Sequence, residues 1–288
     1  VTGVSPGTCT ITYNLGGGFV QTKTAFVYPL PLPITGLAYT CEGFTSGLIN
    51  TSVGSGTWSS SNTAVATIGT GSGVVSGNSV GTTTITYTAY SGCFTTRTHT
   101  VHASPSIPSG PSFLCASDAA TFLSSPAGGA WSSSNTGVVT IGSSTGLVSG
   151  VAGGTSTISY TMPTGCGRGT VITAGPLPAP ISGIVSLCPG GSVTVTSATS
   201  GGTWSSSNTS VATIVSTGVI TAIAPGTSVI TYSLASGCRR TAVITVNAAP
   251  SASTGTFELC VGGSATLSNS TSGGTWSSSS SSIATVGS

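Results

Sequence analysis

Charge is the scarcest feature of this 288-residue chain. It carries five Lys or Arg and three Asp or Glu, a net charge of +2, whereas an ordinary soluble domain is about one quarter charged. Five cations spread over the whole length cannot form the basic surface that nucleic acid or anionic lipid requires, so neither is an expected partner. Three carboxylates cannot build a calcium cage. Histidine occurs only as His99 and His102, and lysine only as Lys23. Three residues apart on one strand, the histidines point to opposite faces and cannot chelate one ion. The many serines lack a histidine partner for a hydrolytic triad, and a lone lysine cannot supply recurring Lys–Asn cross-links. No catalytic, metal or cofactor-binding residue is expected, and no cofactor. With so few titratable groups, few protons can couple to folding between pH 4 and 9.

Long apolar runs are also missing. Mean hydropathy is +0.42, yet Ser, Thr or Gly interrupts every few positions. No stretch nears the ~18–20 residues of a spanning helix, so no membrane span is expected. Glycine clusters such as Gly16-Gly17-Gly18 precede strands, not helices, which argues against a phosphate cradle. No useful 3.6-residue apolar period is present.

What remains is rich in Val, Ile and Thr, which separates it from disordered chains of low charge. β-Branched residues alternate with Ser and Thr and are punctuated by Gly, Asn-Thr and Pro, the pattern of many short strands. In Thr84-Ile85-Thr86-Tyr87-Thr88 the period of two turns Ile85 and Tyr87 inward and the threonines toward water. The fold class is all-β.

Internal repetition is the strongest signal. Trp58, Trp131, Trp204 and Trp276 lie 73, 73 and 72 residues apart, and each opens a Trp-Ser-Ser-Ser-Asn or Trp-Ser-Ser-Ser-Ser phrase. One Trp per repeat is expected to anchor a core between two sheets. A Gly-Thr-x-x-Ile-x-Tyr strand follows at 81–87, 154–160 and 226–232, with a related Gly7–Tyr13 segment near the start. Pro-rich joints at Pro29–Pro33, Pro105–Pro111, Pro176–Pro180 and Pro250 separate the repeats. Three whole units are expected at 29–103, 104–175 and 176–249. Residues 1–28 read as the end of a unit and 250–288 as the beginning of another, the pattern of a window cut from a longer repetitive protein.

The phrase Gly-Gly-Thr-Trp-Ser-Ser-Ser-Asn-Thr-Ser-Val-Ala-Thr-Ile at 201–214, with Pro-Gly-Thr-Ser-Val-Ile-Thr-Tyr at 225–232, resembles the bacterial immunoglobulin-like repeat of group 2. The resemblance runs through the chain in about four unit-equivalents. It implies small immunoglobulin-like β-sandwiches in tandem, expected to form an extended rod. The cysteine-containing, charge-poor form is similar to the arrays of giant surface adhesins in gliding Bacteroidetes, often exported by type IX secretion. That implies a non-catalytic stalk or filament segment at the cell surface, whose partners are adjacent repeats, the secretion or motility machinery, and external surfaces or polysaccharide. Polysaccharide binding by the repeats themselves is the alternative reading.

Eight cysteines in such a chain imply disulfides. One set recurs before the second strand (Cys41, Cys115, Cys188, Cys260), and another at the corner before the last strand (Cys93, Cys166, Cys238). Pairing within a unit gives 41–93, 115–166 and 188–238. In an immunoglobulin-like topology those corners lie at opposite ends of one sandwich, ~20–25 Å apart, against the ~7 Å Cα limit of a disulfide. Pairing between units gives Cys41–Cys166 and Cys115–Cys238, with Cys9 able to meet Cys93 and with Cys188 and Cys260 pairing outside the chain. The acids Glu42, Asp118 and Glu258 flank the first set, and Lys23, Arg97, Arg168, Arg239 and Arg240 follow the second corner. Glu42 is therefore expected near Arg168, and Asp118 near Arg239 or Arg240. Either pairing brings those corners together, so only strand geometry separates the two. Peptide mapping without reductant should find Cys115 joined to Cys238; a Cys115–Cys166 peptide would refute the between-unit scheme.

Overall fold

A computed structural model describes residues 1–52, 54–256 and 258–287. No helix occurs among them, and the strands gather in seven sheets. The chain divides into two compact units, Val1–Ala174 and Gly175–Ser288.

The first unit opens with a hairpin of β1 (Gly7–Asn14) and β2 (Val20–Val27), paired antiparallel along their whole length. A sandwich follows. Its strands are β3 (Thr35–Gly36), β4 (Tyr39–Cys41), β5 (Thr45–Ile49), β6 (Gly56–Ser60), β7 (Ala66–Ile68), β8 (Val74–Gly77), β9 (Gly81–Ala89) and β10 (Phe94–His102). One sheet runs β4-β10-β9-β6 and the other β3-β5-β8-β7, with β4 parallel to β10. A second sandwich repeats the plan: Phe113–Cys115, Gly167–Gly175, Gly154–Thr161 and Ala130–Ser133 face Ala119–Thr121, Leu147–Gly150 and Val139–Ile141. The second unit holds a third sandwich, in which Thr203–Ser206, Gly226–Ser233 and Arg239–Val246 face Ser192–Thr194, Val219–Ala222 and Ala212–Ile214.

Each sandwich is closed by the same aromatic contact. Trp58 stands directly across from Tyr87, Trp131 from Tyr160 and Trp204 from Tyr232, with ring centroids 4.9, 4.6 and 4.5 Å apart. Opposed aromatics on neighbouring strands add to sheet stability beyond their buried area. Around them lie Val75, Ile85 and Val101 in the first core, Val148, Ile158 and Ile172 in the second, and Ile220, Ile230 and Ile244 in the third. Gly73 explains the glycine that leads the strand after Val-Ala-Thr-Ile. Its φ is +68°, and a Cβ there would strike the Leu48 carbonyl oxygen and lie 3.2 Å from the Trp58 ring. Trp58 and Trp131 are buried, and Trp204 is half-buried. Trp276, expected to anchor a core as well, is instead 40% exposed, because residues 250–287 contain no Gly-Thr-x-x-Ile-x-Tyr strand to face it.

The Ser-Ser-Ser-Asn phrase has a structural purpose. In the second sandwich Ser133 Oγ donates to the Val139 carbonyl (2.6 Å) and shares a hydrogen bond with buried Ser156 Oγ (2.8 Å). Ser156 Oγ also accepts the Asn135 N–H at 3.0 Å. Ser206, Ser228 and Asn208 repeat this network, and Ser60, Thr83 and Asn62 repeat most of it. The Asn side chain then accepts the N–H two residues on, fixing the turn before the next strand. Buried hydroxyls thus tie facing strands where a charged surface pair would contribute little. Ser156→Ala removes the part-buried acceptor of the Asn135 N–H and the partner of Ser133 Oγ. It should destabilise the second sandwich by about 1–3 kcal/mol and speed exchange of the Asn135 amide, whereas Thr173→Ala, on an exposed strand position, should stay within about 0.5 kcal/mol.

Candidate functional site

The joint between the first and second sandwiches concentrates the side chains singled out by the repeat. On one side, Cys41 ends β4 in parallel register with His102, so it sits at the far end of β10 from Cys93. Nine residues at about 3.3 Å each separate those two levels by about 30 Å, which bars a bond within one sandwich. A turn follows Cys41: Phe44 N–H donates to the Cys41 carbonyl (2.9 Å), Glu42 N–H to His102 (2.9 Å) and Gly43 N–H to Gly77 (2.8 Å). On the other side, the corner at Met162–Cys166 is closed by Met162 N–H to Cys166 and Gly165 N–H to Met162.

The two corners are joined covalently. Cys41 bonds to Cys166 with Cα atoms 5.7 Å apart, and Cys166 is fully buried. Gly165, at φ +89°, lets Tyr39 approach so closely that a Cβ would lie 3.0 Å from its hydroxyl. The Arg168 guanidinium lies over the Phe44 ring, 4.5 Å from its centroid. Ser104 Oγ, in the linker, donates to the Glu42 carbonyl at 2.6 Å. The Glu42–Arg168 ion pair expected from the charge pattern is not formed among the described residues, since the ring of Phe44 takes the cation. Asp118 accepts the Cys115 N–H at 3.3 Å, and Arg240 donates to the Pro178 carbonyl at 3.2 Å. Cys115 and Cys238 are each half of a disulfide.

Cys9 and Cys93 line one cavity of about 600 Å³ at the base of the hairpin, but both thiols are free, as are those of Cys188 and Cys260. Register explains why the expected Cys9–Cys93 bond is missing. Gly7 faces Val27 as Gly81 faces Val101, so Cys9 occupies the level of Thr83 inside the strand. Cys93 Sγ instead lies at the level of Tyr28, 3.9 Å from its carbonyl. Three residues of strand, about 10 Å, separate those levels.

Sequence reasoning missed Phe44, Tyr39 and Ser104. The second sandwich has Asp118 and Phe113 where the first has Phe44 and Tyr39, so no repeated signature marked these positions.

No cluster of three or more His, Cys, Asp or Glu able to hold a metal occurs among the described residues. The histidines do lie on opposite faces of β10. His102 packs against Tyr39 with centroids 5.5 Å apart, while His99 is fully buried in the core with neither ring nitrogen hydrogen-bonded. Ile172 and Ile244 hold the same place opposite Ser156 and Ser228.

Residues 44–99 match the bacterial Ig-like domain of group 2. No curated protein matches the chain at a significant level. Among solved structures, the chain is 16% identical to a C-terminal fragment of intimin in complex with the intimin-binding domain of its translocated receptor. That match covers 50% of this chain and 64% of the fragment, with a TM-score of 0.36. Invasin, a bacterial integrin-binding protein, is 14% identical over 84% of this chain and 65% of its own, at 0.35. Domains 1–6 of the surface layer protein SbsC are 16% identical over 85% and 45%, at 0.24. The chain spans less than two thirds of each of these structures. The likenesses concern fold alone.

Burial, and secondarily the Arg97 charge, hold the His99 pKa below its ordinary 6.5. His99 is thus one of the few groups able to couple folding to pH. Above about pH 6.5 the group is neutral in both states. As pH falls through that value toward the lower folded pKa, the unfolded state binds a proton that the folded state refuses, so stability declines. His99→Ile should abolish this acid-side decline. It should also stabilise the first sandwich by about 1–3 kcal/mol, because two unpaired buried nitrogens are removed. Thermal unfolding at pH 7.5 and pH 5 measures both effects.

Proposed function

We propose that this chain is a structural, non-catalytic segment of a cell-surface adhesin, built of tandem immunoglobulin-like repeats that pass pulling force from one to the next through disulfides. The observation that carries this reading is the Cys41–Cys166 bond, which links consecutive sandwiches instead of closing either one. A disulfide of this kind belongs to an oxidising compartment, which supports an extracellular location. The match of residues 44–99 to a bacterial Ig-like domain supports the same assignment. So do the repetition and the scarcity of charge. The finer reading, a stalk or filament of a gliding bacterium exported by type IX secretion, follows from the resemblance of the cysteine-containing repeat. Its partners are then the neighbouring repeats, the export or motility machinery, and surfaces or polysaccharide engaged by the adhesin.

Single-molecule stretching tests the mechanical role. With the bond intact, the 125 residues of separation between Cys41 and Cys166 stay shielded from force. Reduction should release on the order of 450 Å of additional contour at about 3.6 Å per residue. Equal contour lengths with and without reductant would sink the proposal. Micromolar binding of the chain to a polysaccharide on a glycan array would instead place binding in the repeats themselves.

A further inference from the structure

One cavity in the first unit is ringed by hydroxyls that the chain itself leaves unused. It measures about 220 Å³ and lies where the first and second sandwiches meet, beside Cys41. Tyr39, Thr40, Thr45 and Ser46 line it. None of their four hydroxyls takes part in a hydrogen bond among the described residues. Two of the four are deep: Thr40 is 4% exposed, and Ser46 Oγ is buried with no partner. Elsewhere in these cores the rule is the opposite. Buried Thr83, Ser156 and Ser228 each bond to a hydroxyl on a neighbouring strand. Buried polar groups rarely go unpaired, and several around one space point to a guest that supplies the missing partners.

The hydroxyls are particular to this joint. Strand register equates Thr45 with Ala119 and Ser46 with Ala120, because Ser76 and Val75 face the first two as Ser149 and Val148 face the second two. Spacing from the recurring cysteine equates Tyr39 with Phe113 and Thr40 with Leu114. The second sandwich thus has four apolar side chains where the first has four hydroxyls, and the same fold accepts either set. In the third sandwich Thr40 and Ser46 give way to Leu187 and Val193. Core stability alone favours the apolar set, since a buried hydroxyl without a partner costs free energy.

The remaining walls define the guest. Leu37 and Phe44 add apolar surface from the first sandwich, and Gly165 and Gly167 of the second present no side chain. Among the described residues no charged side chain lines the cavity, so the guest is neutral. A ring with an apolar C–H face and several hydroxyls satisfies both kinds of wall. Its apolar face packs against Leu37, Tyr39 and Phe44, and its hydroxyls pair with Thr40, Thr45 and Ser46. The cavity is smaller than the ~300–1,000 Å³ of sites for drug-sized ligands, which leaves room for one ring and not a chain. We infer that the joint between the first and second sandwiches binds a single ring of a neutral sugar. This gives the polysaccharide partner named above a specific site. It rests on the cavity and not on the load-bearing role, so stretching and sugar binding can fail separately. A ring seated there touches both sandwiches and adds a noncovalent tie beside the Cys41–Cys166 bond.

Proton–nitrogen correlation spectra of the whole 288-residue chain, titrated in turn with glucose, galactose, mannose and N-acetylglucosamine, test this. At least one sugar should shift the amides of Thr40, Thr45, Ser46 and Gly165, with a dissociation constant on the order of 1 mM for so small a ligand. Thr40→Val and Ser46→Ala remove the two deep hydroxyls with little change of shape. Combined, they should weaken binding about tenfold or more, while the unfolding temperature without sugar stays level or rises. Tyr39→Phe removes only a half-buried phenolic hydroxyl and should also weaken binding, which keeps the test open if the double variant does not fold. An oligosaccharide ending in the preferred ring should bind at least as tightly where the guest is a polysaccharide end, and more weakly where it is a free sugar. Spectra in which no sugar moves those amides mean a cavity filled by water alone and overturn the proposal. So do folded variants that bind as tightly as the original chain.

Discussion

Everything in these sandwiches depends on one contact between two neighbouring strands, a tryptophan packed against a tyrosine directly across from it. Short sandwiches bury little apolar surface, and a chain with so few charges has few ion pairs to add. A large aromatic pair fills the middle of the gap between sheets, and smaller Val and Ile side chains complete the layer around it. The glycines that crowd the ring then follow. At Gly73 any side chain would push against Trp58, so the repeat spends a residue on backbone freedom to keep the aromatic seated.

Hydroxyl groups do in this chain what charged groups do in most. In the three complete sandwiches the serine two positions after the tryptophan reaches across to a buried Ser or Thr, which in turn holds the N–H of the turn asparagine. Such bonds are short, buried and indifferent to salt, whereas exposed ion pairs weaken as ionic strength rises. His99 is the exception, an imidazole placed where the other two sandwiches use isoleucine.

The disulfide at the joint has its own physical reason. Within one sandwich the two corner cysteines stand at opposite ends of a nine-residue strand and cannot meet. The next sandwich brings its corner to the base of β4, and the thiols there are a bond apart. Arg168 over Phe44 and Tyr39 close to Gly165 add noncovalent contacts to the same joint. A link placed there holds two domains without altering either core.

The sequence by itself determined the all-β class, the repeat length, the inward turn of Ile85 and Tyr87, and the Trp residues of the complete repeats, because strand period and repeated spacing are local properties of the chain. It also narrowed the cysteines to two schemes, since strand length sets how far apart the ends of a sandwich lie. Tertiary structure alone decided what depends on contacts between distant segments. Arg168 chose the ring of Phe44 over the carboxylate of Glu42, and no repeated signature marks Phe44. The half-turn of register that puts Cys9 inside a strand, and not at a corner, required knowing that Gly7 faces Val27. The burial of His99 with both nitrogens unpaired required the opposite sheet to close over it. In each case the sequence named the side chain, and packing from elsewhere in the chain decided its neighbour.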